Sequence, residues 1–306
     1  MEHSIVKYLS PNLKMIFSKL SSETLNQLTE IRLRINKPLI IYKRKQEIFL
    51  TGTGRVTTLG GAYIVTREDI IKTIEYISNF SLYAFENELK NGFITISGGH
   101  RVGFCGSTVV EAGMIKTLKN FSGLNIRINH QILNVSQDVI DQIRVSEKEV
   151  YHTMIIAPPA AGKTTLLRDI IRNISTDGKY TGLTVGVVDE RSEIAGAYLG
   201  ISQNELGPRT DVMDNCPKSM GMKMLLRSMA PAVIAVDELG KQEDIDAIED
   251  IVNGGVKLIC TVHGKNIEEI KSRDDKRLKI FDRYIVLGDK LGEIQAIYNK
   301  AFERIG

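Results

Sequence analysis

The chain carries two different patterns of apolar and polar positions, which change near its middle. Between residues 5 and 30 the apolar side chains recur at helical spacing, which predicts one or two short amphipathic helices. The segment EIRLRINKPLIIY then alternates apolar with charged positions, which predicts a strand, a turn near Pro38 and a second strand. Residues 67–90 have helical spacing, whereas GFITISGGHRVGFCGSTVV predicts two strands joined at Gly98 and Gly99, and GLNIRI a further short strand. Residues 1–145 are therefore expected to form a small α+β domain with an antiparallel sheet.

A second pattern begins after the charged stretch RVSEKEV, residues 144–150. Short apolar runs now alternate with helical segments, at residues 153–157, 183–189, 232–237, 256–263 and 283–288. Strands that are apolar throughout and separated by helices indicate a parallel sheet covered on both faces. We therefore place a domain boundary after residue 145 and expect an α/β domain over residues 146–306.

Composition and charge narrow the class of protein. The 306 residues are 42% hydrophobic and 25% charged, which is typical of a globular protein with two domains. A net charge of +3 favours a solvated mixed-charge surface over a polyanion-binding one. Cys105, Cys216 and Cys260 lie far apart without a C-x-x-C pair, which argues against a disulfide framework or zinc site and fits a reducing cytosol. Neither a signal peptide nor a membrane-length apolar run is evident, so membrane association is expected to go through a partner or through the protein surface.

The stretch APPAAGKTTLLRD, residues 157–169, has the features of a phosphate-binding loop. It follows a predicted strand and opens a predicted helix, which is the context that G-x-x-x-x-G-K-[ST] requires. Backbone N–H groups and the helix N-terminus can hold phosphate oxygens, while Lys163 would reach the β- and γ-phosphates and the Thr164 hydroxyl would bind Mg²⁺. The residues predicted to bind ATP are Ala157, Pro158, Pro159, Ala160, Ala161, Gly162, Lys163, Thr164 and Thr165.

The first glycine of this pattern is replaced by Ala157. A small residue at the end of a strand suffices there if its φ is negative. If φ were positive, the alanine would cost roughly 1 kcal/mol or somewhat more. The substitution therefore predicts a working loop rather than a damaged one.

A second acidic strand end follows the loop by about 70 residues in the run PAVIAVDELG. We expect this strand to lie beside the loop strand in the parallel sheet and to present its carboxylates at the nucleotide, because open α/β sheets bind ligands at the carboxyl ends of their strands. Asp237 would then bind Mg²⁺ through water. Glu238 would polarise the attacking water.

Two other strand ends and one loop supply further candidates. Glu190 follows the strand GVVD and is suited to position water or Mg²⁺, and His263 ends the strand ICTVH and is suited to sense the γ-phosphate. Arg209, in the segment GPRTDV, is either a trans-acting arginine or a solvated turn residue. The predicted catalytic residues are thus Glu238, Glu190, His263 and Arg209, with Thr164 and Asp237 at the metal.

The order of these segments resembles that of the motor ATPases of type II and type IV secretion and of type IV pili. In that resemblance the phosphate loop is the Walker A motif, Glu190 lies in an acidic Asp box, Glu238 ends a Walker B strand and His263 lies in a T-x-H His box. A closer resemblance is to the stage III sporulation protein AA family of endospore-forming bacteria. The stretches EIRLRINKPL, FENELKNGFITISGGHRVGFCG, VVDERSEIAGAYLG, NELGPRTDVMDNCPKSMGMKMLLRSMAPAVIAVDELG and TVHG carry it, and they span both domains.

The resemblance implies a RecA-like P-loop ATPase core with a parallel sheet, preceded along the chain by a small α+β N-terminal domain. It also implies ATP and Mg²⁺ as ligands and a homo-oligomeric, hexameric ring. The implied role is at the channel between mother cell and forespore, in the mother-cell cytoplasm, with peripheral membrane association through membrane proteins of that complex. Arg101 and Arg127 are placed where N-terminal-domain arginines of secretion motors approach a neighbouring nucleotide, although both also suit solvated strand-edge charges.

Two other functions remain open from the sequence. A nucleic-acid-dependent ATPase is one, but aromatic residues make up only 6% of the chain and stacking platforms need aromatics beside cations, so nucleic acid is an unfavoured partner. A structural subunit that binds nucleotide without hydrolysing it is the other. The presence of Lys163, Thr164, Asp237 and Glu238 together argues against it.

Overall fold

The computed structural model describes residues 5–44, 46–81, 85–90, 92–239, 242–272 and 276–306. The chain divides into two compact units, Met1–His130 (unit 1) and Gln131–Gly306 (unit 2). The predicted boundary after residue 145 lies 15 residues beyond this division. Residues 131–145 belong to unit 2 because Val139 and Ile143 are fully buried in one of its cores.

Unit 1 is built on one antiparallel sheet whose strand order is β4-β3-β2-β1-β7-β6-β5. Every neighbouring pair in this sheet is antiparallel, as the alternating sequence pattern predicts. Its strands are β1 (Leu28–Arg34), β2 (Ile40–Lys43), β3 (Gln46–Leu50), β4 (Val56–Thr57), β5 (Phe93–Ile96), β6 (His100–Glu111) and β7 (Met114–Arg127). Its helices are α1 (Pro11–Phe17), α2 (Ser22–Asn26), α3 (Arg67–Ile77) and α4 (Glu86–Lys90), with 3₁₀ turns at Val6–Tyr8 and Leu59–Gly61.

The hydrophobic core of unit 1 lies on one face of this sheet. Ile31 and Leu33 of β1 are fully buried, while Arg32 between them is not, because successive side chains of a strand point to opposite faces. Ile70 and Ile74 of α3 pack in the same core. Arg101 and Arg127 are directly opposed across β6 and β7.

The prediction of one helix over residues 67–90 is wrong. Helix α3 begins with a capping box between Thr66 and Asp69 and ends at Ile77. Asn79 and Phe80 then adopt left-handed backbone conformations, with φ of 47° and 62°, which a continuing α-helix cannot accommodate. The helical pattern resumes only at Glu86, and residues 82–84 of the predicted helix lie outside the described residues.

Unit 2 is built on a seven-stranded sheet in the order β12-β11-β13-β14-β10-β15-β16, beside a small antiparallel β8–β9 pair. All neighbouring strands of the large sheet are parallel except β15 and β16. The strands are β8 (Arg144–Ser146), β9 (Glu149–Val150), β10 (Thr153–Ala157), β11 (Val185–Asp189), β12 (Thr210–Asp214), β13 (Val233–Val236), β14 (Lys257–His263), β15 (Arg283–Leu287) and β16 (Ile294–Asn299). The helices are α5 (Gln137–Ile143), α6 (Lys163–Ser175), α7 (Lys218–Ser228), α8 (Gln242–Asn253) and α9 (Ile267–Ser272), with a 3₁₀ turn at Lys276–Lys279.

Both faces of this sheet are covered by helices. Residues of α5 and α6 pack on one face, and residues of α7, α8 and α9 on the other. Every residue of β10, β11 and β13 is buried, which explains why these strands appear in the sequence as continuous apolar runs. The α/β fold is confirmed: an antiparallel sheet in the N-terminal unit is followed along the chain by a mostly parallel sheet in the second unit.

The strand order corrects one expectation about the site. The predicted neighbour of β10 was the strand that precedes Asp237, which is β13. Instead β14 lies between them, and β10 is flanked by β14 and β15. The sequence pattern did not predict strands β12 and β16, because β12 is only half-buried and β16 forms the antiparallel edge. No helix among the described residues is both long enough and apolar enough to cross a membrane.

Candidate functional site

The phosphate loop joins the end of β10 to the start of α6, as the sequence predicts. Ala157 is the last residue of β10, and α6 begins at Lys163 with Gly162 as its N-cap at φ 98°. The first N–H groups of an α-helix have no partner within the helix, and they carry the positive end of its dipole. The loop therefore presents an anion-binding helix terminus at the carboxyl end of the parallel sheet.

Ala157 does not carry the strain that its missing glycine suggests. It lies in β10, buried and paired with His263 of β14, and its φ is not positive. The left-handed positions of the loop are instead Ala160, with φ 62°, and Gly162. The residue that departs from ideal backbone geometry is therefore Ala160, at a cost of roughly 1 kcal/mol.

Asp237 links the loop helix to two strand ends. Its Oδ2 accepts a hydrogen bond of 2.8 Å from the Thr164 hydroxyl, and its Oδ1 accepts one from the Thr261 hydroxyl of β14. The Thr261 oxygen also accepts the backbone N–H of Glu238 at 2.9 Å. Thr261 of β14, the strand next to β13, thus fixes both acidic residues, although the sequence assigned it no role of its own.

Glu238 and His263 meet Lys163 at the same place. His263 Nε2 lies 3.1 Å from Lys163 Nζ and 3.1 Å from Glu238 Oε1. Arg191, the residue after Glu190, lies 3.8 Å from the other Glu238 oxygen. Glu238 itself has a left-handed backbone, with φ 48°, a strained conformation for this residue type.

One nitrogen of His263 faces a donor and an acceptor at once. A ring nitrogen that accepts from the Lys163 ammonium carries no proton, whereas one that donates to Glu238 must carry one. The two contacts are therefore alternatives, and proton position on Nε2 decides between them. The Nδ1 of His263 is buried without a hydrogen-bond partner in the described part of the chain.

Asp189 anchors the loop that carries Glu190. Its carboxylate accepts the backbone N–H groups of residues 193, 194 and 195 at 2.8, 2.9 and 2.8 Å. Burial raises the pKa of Asp189 to about 6, with a further contribution from Asp214, although the backbone hydrogen bonds oppose the shift. Arg168 of α6 ties the same loop to the phosphate-loop helix, because it donates to the carbonyls of Glu193 and Ile194 at 2.8 Å each.

Glu190 is paired with a residue that the sequence pattern did not single out. Its Oε2 forms an ion pair with Lys218, the first residue of α7, whose side chain is only 11% exposed. Lys218 begins a helix and Arg191 follows a strand, and neither position has a sequence spacing that marks it as part of a site. Their contacts with Glu190 and Glu238 arise only from the order of strands in the sheet.

Arg209 is not brought to this site. It immediately precedes β12, at the opposite end of the parallel sheet from Asp237 and His263. Its guanidinium donates to the Ser175 carbonyl at 3.0 Å and to Asp177 at 2.5 Å. Within the chain these contacts hold the end of α6, and a trans-acting role for Arg209 stays a prediction.

The donors at this site fit Mg²⁺ in chemical type. Thr164 and Asp237 offer hydroxyl and carboxylate oxygens, the hard ligands that Mg²⁺ prefers. Among the described residues, no group of three or more His, Cys, Asp or Glu side chains is placed to hold a metal ion. Mg²⁺ in such sites usually keeps waters and substrate phosphates as its remaining ligands, which is consistent with this donor set.

Two solved structures share the architecture. The ATPase DotB of Legionella pneumophila matches with a TM-score of 0.55 at 14% identity, over 90% of this chain and 74% of its own. The pilus retraction motor PilT with bound ADP matches with a TM-score of 0.58 at 15% identity, over 86% of this chain and 75% of its own. At these identities the similarity concerns the fold.

Sequence relatives define the family. The family model Spore_III_AA, "Sporulation stage III, protein AA", matches residues 1–305. Stage III sporulation protein AA of Bacillus subtilis (strain 168) is 39% identical over 306 residues, which cover 97% of this chain and 95% of that protein. Protein SEEDLING PLASTID DEVELOPMENT 1 of Arabidopsis thaliana is 24% identical over 191 residues, 60% of this chain and 26% of that protein. The chain therefore belongs to the sporulation stage III, protein AA family.

Proposed function

We propose that this chain is an ATPase of the secretion-motor type that hydrolyses ATP with Mg²⁺. The observation that carries the proposal is the convergence of Lys163, Thr164, Asp237, Glu238 and His263 at one end of the parallel sheet. They meet beside a helix N-terminus, which suits the binding of a phosphate chain. A structural helix start would need neither the acidic pair nor the histidine.

In this proposal the loop and Lys163 bind the phosphates. The N–H groups at the start of α6 hold phosphate oxygens, and Lys163 leaves His263 Nε2 to reach the β- and γ-phosphates. Thr164 and Asp237 hold Mg²⁺, which neutralises charge on the phosphates. Asp237 is already oriented for this by the hydroxyls of Thr164 and Thr261.

Glu238 and His263 then act on the attacking water and the γ-phosphate. Once Lys163 has moved, Nε2 of His263 no longer has to accept, and the neutral imidazole can take the tautomer that carries its proton on Nε2 rather than on Nδ1 and donates from there. Glu238 orients the water and takes its proton, since its carboxylate lies 3.1 Å from His263 Nε2 and its backbone N–H donates to the Thr261 hydroxyl oxygen. Glu190, held by Lys218, positions the water or the metal from the β11 side.

We further propose that copies of the chain assemble into a ring, with six as the number carried over from the secretion motors. Arg101 and Arg127 of unit 1 are directly opposed across β6 and β7, and the Arg101 guanidinium lies 3.9 Å from the centroid of the Phe93 ring. In this proposal the two arginines approach a nucleotide held by a second copy, which gains transition-state stabilisation from them.

The cellular role that we propose follows the family. The ring powers or assembles the channel apparatus between mother cell and forespore during endospore formation. It acts from the mother-cell cytoplasm and reaches the membrane through membrane proteins of that complex. Release of the nucleotide after hydrolysis moves unit 1 and unit 2 and so delivers work to those partners.

The test is Mg²⁺-dependent ATP hydrolysis by the purified chain over a range of protein concentrations. Lys163→Ala is expected to abolish turnover, whereas Lys148→Ala, an exposed lysine before β10 at the other end of the sheet, is expected to leave it unchanged. Specific activity that rises with concentration supports a site completed between copies. Turnover that survives Lys163→Ala would contradict the proposal, and stimulation by single-stranded nucleic acid would favour the nucleic-acid-dependent alternative.

A further inference from the structure

Arg191 lies in the loop after β11, and the backbone on both sides of it is fixed. Before it, the Glu190 carboxylate forms its ion pair with the first residue of α7. After it, the Ser192 hydroxyl donates to Asp214 at 2.7 Å, and the N–H groups of residues 193–195 donate to the buried carboxylate at the end of β11. Ser192 also has a left-handed backbone, with φ 51°, a strained conformation of the kind that is concentrated at functional sites. The loop therefore gives the Arg191 side chain one starting point.

The Arg191 side chain itself is held loosely. It is 64% exposed, and its Nη1 lies 3.8 Å from Glu238 Oε2, which is beyond hydrogen-bond distance. Within the described part of the chain the guanidinium has no other ion pair or hydrogen bond. Exposed ion pairs of this kind stabilise a protein by at most about 1 kcal/mol, so another anion can replace the carboxylate at little cost.

Two other arginines of unit 2 are held differently. Arg168 donates to two backbone carbonyls at 2.8 Å each, and Arg209 donates to one carbonyl and one carboxylate. Such acceptors satisfy a guanidinium and fix its position. Arg191 instead combines a fixed backbone with a guanidinium that faces only a carboxylate of the candidate site. An arginine of this kind is suited to bind an anionic ligand at that site.

Arg191 and Lys163 are connected to Glu238 through different oxygens. Oε1 of Glu238 contacts His263 Nε2, which in turn contacts Lys163 Nζ, each at 3.1 Å, whereas Oε2 faces Arg191. In the proposed function Lys163 leaves these contacts for the β- and γ-phosphates, and Glu238 orients the attacking water. A cation that reaches the carboxylate beside this water also reaches the γ-phosphate that the water attacks. Arg191 is therefore placed to approach the γ-phosphate from the β11 side.

We infer that Arg191 is a catalytic residue of the ATPase, which moves from Glu238 to the γ-phosphate and stabilises the charge that develops there. The inference rests on the proposed function, because it needs ATP in the phosphate loop. The guanidinium stays protonated throughout, and only its anionic partner changes. Its departure leaves Oε2 of Glu238 free to accept the proton of the water. Because Arg191 belongs to the same chain as Lys163, this contribution does not require a second copy.

Turnover of ATP with Mg²⁺ is measured on the full chain and on Arg191→Ala, Arg191→Lys and Arg227→Ala. Arg191→Ala is expected to lower turnover about 10³-fold, the effect typical of an arginine that stabilises phosphoryl transfer. Arg191→Lys keeps the charge and loses the planar fork, so its turnover is expected to lie between the two. Arg227→Ala is the matched control, since Arg227 is an exposed arginine in the last turn of α7, and its turnover is expected to be unchanged.

A binding titration shows whether the γ-phosphate is contacted. ADP is compared with ATPγS, which hydrolyses slowly and carries the third phosphate group, both with Mg²⁺. Arg191→Ala is expected to weaken ATPγS about tenfold, because charge-assisted hydrogen bonds to that group are lost. The affinity for ADP is expected to stay the same. A side chain that only holds the loop would change both affinities or neither.

Unchanged or faster turnover in Arg191→Ala would overturn the inference, because the arginine would then only cover Glu238. Equal changes in ADP and ATPγS affinity would overturn it as well. Both results leave the proposed function intact as long as the unmodified chain hydrolyses ATP. If the unmodified chain binds nucleotide without hydrolysing it, the ATPγS titration alone decides about Arg191. If it binds neither ligand, the proposed function and the inference fail together.

Discussion

The two ends of the parallel sheet in unit 2 use charged side chains in opposite ways. At the amino end Arg209 donates to the Ser175 carbonyl and Asp177, and Arg144 donates to the carbonyls of Ile174 and Thr181 at 3.5 Å. At the carboxyl end His263 shares a single nitrogen between Lys163 and Glu238. Arg209 and Arg144 at the amino end donate to backbone carbonyls, whereas Lys163, Glu238 and His263 at the carboxyl end contact one another.

This difference between the two ends indicates at which end of the sheet the proposed ATP hydrolysis takes place. Arg209, which donates to the last carbonyl of α6 and to Asp177, has one stable position. A cluster with two incompatible hydrogen bonds at one atom has two arrangements, and a ligand or a proton selects between them. Arg209 and Lys163 therefore differ in role, although both are basic residues near α6.

The largest expected effect separates Glu238 from Arg209. Glu238→Gln keeps the size of the side chain and removes the base, so ATP turnover should fall about 10²–10³-fold while nucleotide binding remains. Arg209→Ala should leave turnover within about threefold, since its contacts lie at the other end of the sheet. Steady-state kinetics with a nucleotide-binding titration on both variants checks this.

Comparable losses of turnover in these two variants would contradict the difference in role between the two ends of the sheet. Such a result would support the trans-acting role of Arg209 that the sequence left open. A loss in Arg209→Ala that appears only above the concentration at which copies associate would be the clearest sign of such a role.

A smaller effect concerns Asp189, whose pKa is raised to about 6 by burial. The folded state then holds a proton that the unfolded chain releases near pH 4, so this group makes the protein less stable as pH rises from about 4 to 6. At pH 7 the cost is about 2–3 kcal/mol. In Asp189→Asn this dependence disappears, although one backbone hydrogen bond to the carboxylate is lost as well.

Denaturant unfolding of the unmodified chain and of Asp189→Asn at pH 4.5 and pH 7 measures the change. The difference in unfolding free energy between the two chains should shift in favour of the variant as pH rises. A difference that does not depend on pH would show that Asp189 is ionised throughout, held by the N–H groups of residues 193–195.

The smallest predicted effect concerns the backbone of the phosphate loop. Ala160→Gly removes the strain at φ 62° and should raise the free energy of unfolding by about 0.5–1 kcal/mol. Ala161→Gly is the matched control, since Ala161 is 2% exposed and its φ is not positive, and it should lower stability instead. Thermal or denaturant unfolding distinguishes the two, and equal effects would contradict the assignment of strain to Ala160.

The features that the sequence predicted correctly depend on local patterns. The buried strands β10, β11 and β13 are continuous apolar runs, and the phosphate loop is defined by residues within one strand, loop and helix. Alternation in β1 likewise indicated an antiparallel sheet with one buried face. Such signals do not require knowledge of which elements become neighbours.

The features that the sequence missed depend on tertiary arrangement. The insertion of β14 between β13 and β10 puts Thr261 beside Asp237, and no local pattern encodes strand order. Lys218 matters because its ion pair with Glu190 forms only where α7 begins beside the end of β11. The break after Ile77 was missed because residues 67–90 keep apolar side chains at helical spacing across the left-handed turn.

Hydrogen exchange of the full chain with and without Mg²⁺ and ADP tests the central claim most directly, because it examines both ends of the sheet in one experiment. Amides of residues 160–166 at the carboxyl end are expected to exchange more slowly when Mg²⁺ and ADP are bound. Residues 176–184 and 206–210 at the amino end should exchange at the same rate with and without the ligand. Protection confined to the amino end, or no change at residues 160–166 when ADP is bound, would contradict the placement of the nucleotide site.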